Sequence, residues 1–360
     1  MKRLKENFHK PHILIVGAGI IGMFNAIELS EIGYDITIAD PALEKNSSSA
    51  ALGLLMGNMY QKRNGRSWIL RKESIELWPK WIKFLQEFNK ELHIEKPLIK
   101  LTKNDARYEK LKKFVTENSN QGLEILEEES IIIKNINKTF KTKNIKGIIS
   151  HKDGRVDPIS LLDTLHIYLK SKKINFLNDE IINIKRLNKK WIATSRNNNE
   201  IKSDAIILCN SLNALNLVSE KLHKVELRPV LGQAIEVCTR SDEVDFLSLP
   251  KHFNIDGKNI IPITKNKIII GSTDEYNKKP AENVFGKLTD FIENKPKWLS
   301  KDKVTRKWFG IRSQPKGEAS PVQRNLEDGL IMCTGFYKNG FLLAPSCSRW
   351  VANELEKFFI

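Results

Sequence analysis

Cysteine is scarce in this sequence. The four present, Cys209, Cys238, Cys333 and Cys347, are scattered and form no Cys-x-x-Cys pair. That excludes a disulfide framework and a structural zinc site, and it favours a reducing, cytoplasmic compartment. Histidine is sparse too, with seven residues and none at ligand spacing, so no metal centre is expected. No apolar run is long enough for an integral membrane segment. The N-terminus comes nearest: MKRLKENFHKPH followed by ILIVGAGIIGMFNAIEL imitates a signal peptide, but three glycines interrupt the run at a spacing with its own explanation. Internal repeats and low-complexity linkers are absent.

The chain has 360 residues, 41% hydrophobic and 28% charged, which are globular proportions. That length suits about two domains. The formal net charge is +16, but the lysines are spread along the whole chain. The densest stretch, Lys134 to Lys146, contains a single aromatic, Phe140. A platform for single-stranded nucleic acid would need more stacking surfaces, so the stretch reads as solvated surface.

The chemistry begins at the N-terminal end. His12 to Val16 (HILIV) reads as a buried parallel strand running into Gly17-Ala18-Gly19-Ile20-Ile21-Gly22, a G-x-G-x-x-G. A helix follows over Met23 to Ile32, closed by Gly33, then a second strand over Asp35 to Ala39 that ends at Asp40. In such a β-α-β unit Gly17 permits the tight turn, Gly19 lets the backbone approach a pyrophosphate, and Gly22 lets helix and strand pack closely. The helix N-terminus offers free N–H groups to phosphate, and Asp40 can accept hydrogen bonds from a ribose diol. The motif alone leaves NAD and FAD open. The small and hydroxyl residues of Ser47 to Leu55 (SSSAALGLL) would let a bulky flavin lie near the backbone; they also suit an ordinary Ser-rich loop.

The middle of the chain is mixed. Ser67 to Leu92 reads as a helix kinked or restarted at Pro79, with Trp78, Trp81, Phe84, Leu85 and Phe88 as a core stripe. Residues 98–149 read as short Ile-rich strands between Lys/Asn turns. Asp157-Pro158 reads as N-cap and first residue of a helix over Ile159 to Leu169, on which His166 is a packing or surface residue. Strands are expected at Asn175–Ile184, Trp191–Thr194, Ile201–Leu208, Gly232–Val237, Asn259–Ile263 and Lys267–Ile270, the later ones forming an antiparallel sheet. A strand over residues 329–335, a turn at 336–340 and a closing helix over 341–355 complete the chain. The bare helix N-terminus at Asn339-Gly340 is a second anion site. The α/β signals fall in three pieces with strand-rich pieces between them, which implies interleaved domains.

These segments together resemble a known family. GAGIIG, SSAALGLL, GRVDP, IIPITKNKIIIGSTDE, GIRS and TGFYKNGFLLAP look like the motifs of the FAD-dependent amino-acid and amine oxidoreductases, which include glycine oxidase, D-amino-acid oxidase and sarcosine oxidase. The resemblance covers nearly the whole chain and is strongest to glycine-oxidase-like members. It implies an α/β plus antiparallel β architecture, with a Rossmann-like FAD-binding domain (residues 1–85, 149–222 and 308–360) interleaved with a substrate domain on a mostly antiparallel sheet (86–148 and 223–307). Arg312 matches the arginine that binds the substrate carboxylate, a task a guanidinium fork suits. Tyr337, Lys338 and Asn259 match substrate-side positions. Gly17, Gly19, Ile20, Ile21, Gly22, Asp40, Ser48, Ser49, Gly53, Leu54, Ile181, Asn339, Gly340, Phe341 and Leu342 match cofactor contacts.

The implied reaction is oxidative deamination of a small amino acid or N-alkyl glycine, with noncovalent FAD accepting hydride from Cα at N5 and with oxygen or a quinone as final acceptor. No side-chain base is nominated. A quinone acceptor would place the protein at a membrane periphery. Homo-oligomerisation stays open. The chain departs from the family pattern at Lys338 for Arg, Ser313 for Pro, Cys209-Asn210-Ser211 for Ala-Ala-Gly, Glu318-Ala319-Ser320-Pro321 for D-G-x-P, and Asn259 near a Tyr. These leave two alternatives: oxidative trimming of carboxymethylaminomethyl-uridine in tRNA, and a non-catalytic flavin-binding descendant.

Overall fold

A computed structural model describes residues 10–42, 46–240, 243–276 and 279–359. The basic start of the signal-peptide-like stretch, residues 1–9, lies outside them.

Two large sheets organise the chain. The first has six strands in the order 322–327, 330–334, 205–208, 12–16, 35–39 and 175–177. All neighbours are parallel except the pair 322–327 and 330–334. Its central strands are apolar on both faces, as a sheet covered on both sides requires. Helix Ile20–Ile32 starts three residues before the expected Met23, and ten of its thirteen residues are buried. A helix apolar all round must be covered on every side. The closing helix Gly340–Phe359, Trp78 and Leu165 join the same core.

The second sheet has eight strands in the order 304–316, 226–238, 267–271, 258–264, 253–255, 98–102, 146–150 and 123–126. It is antiparallel except where 253–255 meets 98–102. The strand Val304–Lys316 carries residues from both sides of position 308. Two smaller sheets complete the strands: 181–187, 190–195 and 200–203, and the short pair 54–55 and 154–155.

Several local expectations change. The helix expected over Ser67–Leu92 spans Gly65–Leu85 with Pro79 inside it and no restart. Beyond Leu85 the chain turns back on itself, with Gln86 Nε2 donating to the Leu92 carbonyl at 2.8 Å. Residues 98–149 contain two helices, Asp105–Thr116 and Ile131–Phe140, not strands alone. The run Ile131-Ile132-Ile133 suggests a strand by β-branching, but Ile133, Ile136 and Phe140 recur at helical spacing and are the buried face. Lys134, Lys138, Lys141 and Lys143 stay exposed, so the dense basic stretch is the solvated side of that helix and its exit turn. The single strand expected at Asn175–Ile184 breaks into 175–177 and 181–187 in different sheets, and Ile201–Leu208 breaks likewise at Asp204. Asp157 does cap its helix, accepting from the Ser160 N–H at 2.9 Å, with Pro158 next in the first turn. Among the described residues no helix is long and apolar enough to cross a membrane.

Candidate active site

A cleft lies where the two sheets approach each other, with about 1150 Å³ of empty space, part of it open to solvent. Its walls come from four places in the chain: the Gly-rich turn with the Ser47–Leu54 loop, the segment after strand 205–208, the antiparallel strands, and the turn before the closing helix.

The Gly-rich turn needs its glycines for close approach. A Cβ at Gly22 would sit 1.8 Å from the Gly17 carbonyl oxygen, so helix and strand could not pack with any side chain there. The Asp40 carboxylate holds the turn from the side, accepting from Ala18 N–H at 2.7 Å and Ala42 N–H at 2.8 Å. The helix that follows has no side-chain cap from Gly19 and no acid in its first turn, which leaves positive backbone ends facing the cleft. Ser48 Oγ accepts from the Ile20 N–H at 3.0 Å and so fixes the serine loop against that helix end. Ser47 Oγ donates to the Ile311 carbonyl at 2.5 Å and ties the same loop to the antiparallel sheet.

At the opposite wall, Arg312 stands on strand Val304–Lys316 with 16% of its side chain exposed. Neighbouring Gly232 makes room for it, since a Cβ there would lie 2.0 Å from Arg312 Nη2. Arg312 Nη1 donates to the Thr273 carbonyl (3.1 Å) and to Asp274 Oδ1 (2.9 Å), and Nη2 donates to Ser272 Oγ (2.5 Å). Burial lowers its pKa and the Asp274 charge opposes that shift. Lys338 Nζ donates to Asp274 Oδ2 at 2.5 Å. Tyr337 adopts φ 51° and its N–H donates to the Ser313 carbonyl at 2.9 Å. Burial pushes its phenol up to about 12, with Asp274 adding to the effect, so the hydroxyl keeps its proton at neutral pH.

Asn259 also lines the cleft. Its Oδ1 accepts from Asn254 Nδ2 at 3.0 Å and lies 3.2 Å from His252 Nε2. His252 is 1% exposed, and burial pulls its imidazole down to about 3, so the ring is neutral.

The cleft thus brings together Gly19, Ile20, Ile21, Ser48, Gly53, Leu54, Asn259, Arg312, Tyr337, Lys338, Gly340 and Phe341. The other expected residues sit behind its lining. Gly17, Gly22 and Asp40 shape the turn. Ser49 N–H is spent on Asn46 Oδ1 at 2.9 Å. Ile181 is core, buried with Val16 and Ala39. The Asn339 carbonyl accepts from the Leu343 N–H at 2.9 Å as the closing helix begins. The Leu342 carbonyl accepts from Trp78 Nε1 at 3.0 Å, and the residue lines a second cavity. Gly232, Ser272, Asp274 and His252 were not foreseen as site residues; Ser272 and Asp274 stand inside the GSTDE segment, where the sequence offered a signal. Ser211, one of the departures from the motif the sequence resembles, adopts φ 59°, a left-handed region that glycine enters readily.

The cleft suits a dinucleotide with a broad ring system. Two helix N-termini face it, close-packed glycines line it, and the Asn210 Oδ1 beside its Cys209 and Ser211 wall is buried without a hydrogen-bond partner among the described residues. The family of FAD-dependent oxidoreductases that includes D-amino-acid oxidase matches residues 12–354. The chain belongs to that family.

Within it, a glycine oxidase from Pseudomonas aeruginosa is 29% identical over 171 residues, which is 46% of this chain and 44% of that protein. The aligned part therefore spans less than half the length of that relative. The crystal structure of glycine oxidase from Bacillus cereus superposes with a TM-score of 0.81 at 21% identity, covering 97% of this chain and 95% of that one. L-alpha-glycerophosphate oxidase from Mycoplasma pneumoniae, solved with FAD bound, gives 0.78 at 19% identity, covering 97% and 95%. These structures share this chain's fold, and a shared fold does not by itself fix a substrate.

Proposed function

We propose that this flavoenzyme oxidises the C–N bond of a small amino acid or N-alkyl glycine. One observation carries the reading: a guanidinium, Arg312, stands at the substrate-side wall of the same cleft that the Gly-rich turn lines, largely buried and braced by Ser272 and Thr273. A braced guanidinium can hold a carboxylate by charge-assisted bonds and present the carbon next to it in one orientation.

Bound FAD supplies the hydride acceptor. The chain's own residues do the rest. Arg312 holds the carboxylate. Tyr337 lines the same cleft, and its protonated hydroxyl can donate to a ligand there. Asn259 is fixed through its Oδ1 by Asn254 and His252, which leaves its Nδ2 hydrogens as donors toward the ligand. When FAD binds, Ser48, Gly53 and Leu54 would hold the ring, the Gly17–Gly22 turn the pyrophosphate, Asp40 the ribose, and Gly340 with Phe341 the far edge of the ring. Ser49, Ile181, Asn339 and Leu342 support these contacts from behind. We assign the FAD domain to residues 1–85, 149–222 and 308–360 and the substrate domain to 86–148 and 223–307. Attachment of FAD stays noncovalent in this reading. The two cysteines on the cleft, Cys209 and Cys333, have thiols raised by burial, Cys333 to about 12, so neither is a ready thiolate nucleophile.

The test is anaerobic. Glycine, sarcosine, D-alanine and D-proline are added in turn while the visible flavin band is followed. Bleaching by one of them supports the reading, and Arg312→Ala should abolish it. A flavin that none of them bleaches would sink it. Admitting air to the bleached enzyme distinguishes oxygen from a quinone as acceptor.

A further inference from the structure

The charged side chains that line the cleft are both cations, Arg312 and Lys338. One carboxylate bridges them: Asp274 accepts from Arg312 Nη1 through Oδ1 and from Lys338 Nζ through Oδ2. We propose that Asp274 determines specificity, setting the charge that the cleft presents at +1 instead of +2 and so selecting substrates with one carboxylate over those with two. The inference rests on the carboxylate-binding reading of Arg312 given above.

Asp274 is held where it is. Thr273 N–H donates to the Gln233 carbonyl at 3.0 Å, and Thr273 Oγ1 accepts from the Gln233 N–H at 2.9 Å. On the other side, Glu275 and Leu231 exchange two backbone hydrogen bonds of 2.8 Å each. The buried Glu275 carboxylate takes hydrogen bonds from Gln233, Thr273 and the Ala281 N–H, with Lys287 3.8 Å away, so its charge is spent locally. The backbone is pinned on both flanks, and Arg312 and Lys338 hold the carboxylate between them.

The donor count agrees. A guanidinium has five N–H hydrogens. Thr273, Asp274 and Ser272 use three of Arg312's, leaving Nε and one Nη2 hydrogen for a single ligand carboxylate. The other cation of the lining, Lys338, is already neutralised by Asp274 and so offers a second ligand carboxylate little charge. That carboxylate would also meet Asp274 itself, and like charges at close range in a partly buried site repel strongly.

Calorimetric titration of the FAD-loaded protein with propionate and malonate tests this, since the two differ chiefly in the second carboxylate. Asp274→Asn should tighten malonate by about tenfold while changing propionate by less than about threefold. Asp274→Asn combined with Lys338→Met returns the charge to +1 and should bring the malonate-to-propionate preference back to that of the wild type. A role in folding alone would not produce that reversal. Asp274→Ser serves as a second single variant should the Asn form lose FAD. An unchanged preference in FAD-loaded variants overturns the role of Asp274 while leaving Arg312 as a carboxylate site. Failure of the wild type to bind propionate at all overturns the carboxylate reading itself, and this inference with it.

Discussion

Arg155 and Glu95 are joined three times: each backbone N–H donates to the other's carbonyl, at 2.9 and 2.7 Å, and Arg155 Nη1 donates to Glu95 Oε2 at 2.6 Å. The same guanidinium reaches the Leu52 carbonyl at 2.9 Å and Asp157 Oδ2 at 2.9 Å. One buried cation therefore ties the serine loop, a helix cap and the chain's entry into the second sheet into one unit.

Removing that cation leaves Glu95 and the Leu52 carbonyl without their partner. Arg155→Met should cost about 3–5 kcal/mol of stability, as breaking a buried pair does. It should also lower the FAD content of the purified protein, because Leu52 lies on the cleft. Urea unfolding and the ratio of flavin to protein absorbance measure the two effects.

Gly232→Ala addresses Arg312 without touching it. The new Cβ would fall 2.0 Å from Nη2, the far end of a flexible side chain, so the guanidinium must move while the strand stays. The expected result is a near-normal thermal midpoint, full FAD content and at least about tenfold weaker carboxylate binding, equivalent to about 1.4 kcal/mol. Wild-type propionate affinity in this variant would contradict the packing.

His252 makes stability depend on pH. Its folded value is about 3, far below the roughly 6.5 of an unfolded histidine. The unfolded chain therefore binds the proton first as pH falls. The contribution is complete above about pH 6.5 and is lost progressively down toward pH 3. Thermal midpoints between pH 7 and pH 5, roughly the upper part of that window, should fall less in His252→Gln than in the wild type. Parallel curves would show that the ring takes up its proton in the folded state.

Ser211 holds a left-handed conformation at φ 59°, which glycine adopts more readily. That conformation costs a residue with a Cβ about 1–2 kcal/mol, partly offset by the greater unfolded freedom of glycine. Ser211→Gly should therefore stabilise the protein by roughly 0.5–1 kcal/mol. Chemical denaturation checks it, and a loss of stability would mean that the Ser211 side chain makes a compensating contact.

Where a single local rule governs, the sequence was legible. The strand His12–Val16, the Gly-rich turn, the second strand ending at Asp40, the Asp157 cap and the closing helix all follow from periodicity, glycine placement and capping. The helix over Ile131–Phe140 was not legible as such, because β-branched residues and helical spacing point in opposite directions there and packing of Phe140 decides. The breaks at residues 178–180 and at Asp204 depend on which sheet each half joins, and that is tertiary information. The motif singled out Arg312, and the structure places it on the cleft lining. The bridge from Asp274 to Lys338 was not legible, since the two lie 64 residues apart and meet only once both flanking elements are folded.

The strand 330–334 lies beside 205–208, which lies beside 12–16, and all three are parallel members of the first sheet. In synthesis strand 12–16 is made long before strand 330–334. The growing chain must therefore keep its apolar strand 12–16 out of other associations until residues 330–334 have emerged. A chain truncated ahead of residue 330 would lack both the missing strand and the closing helix, and with them one wall of the cleft.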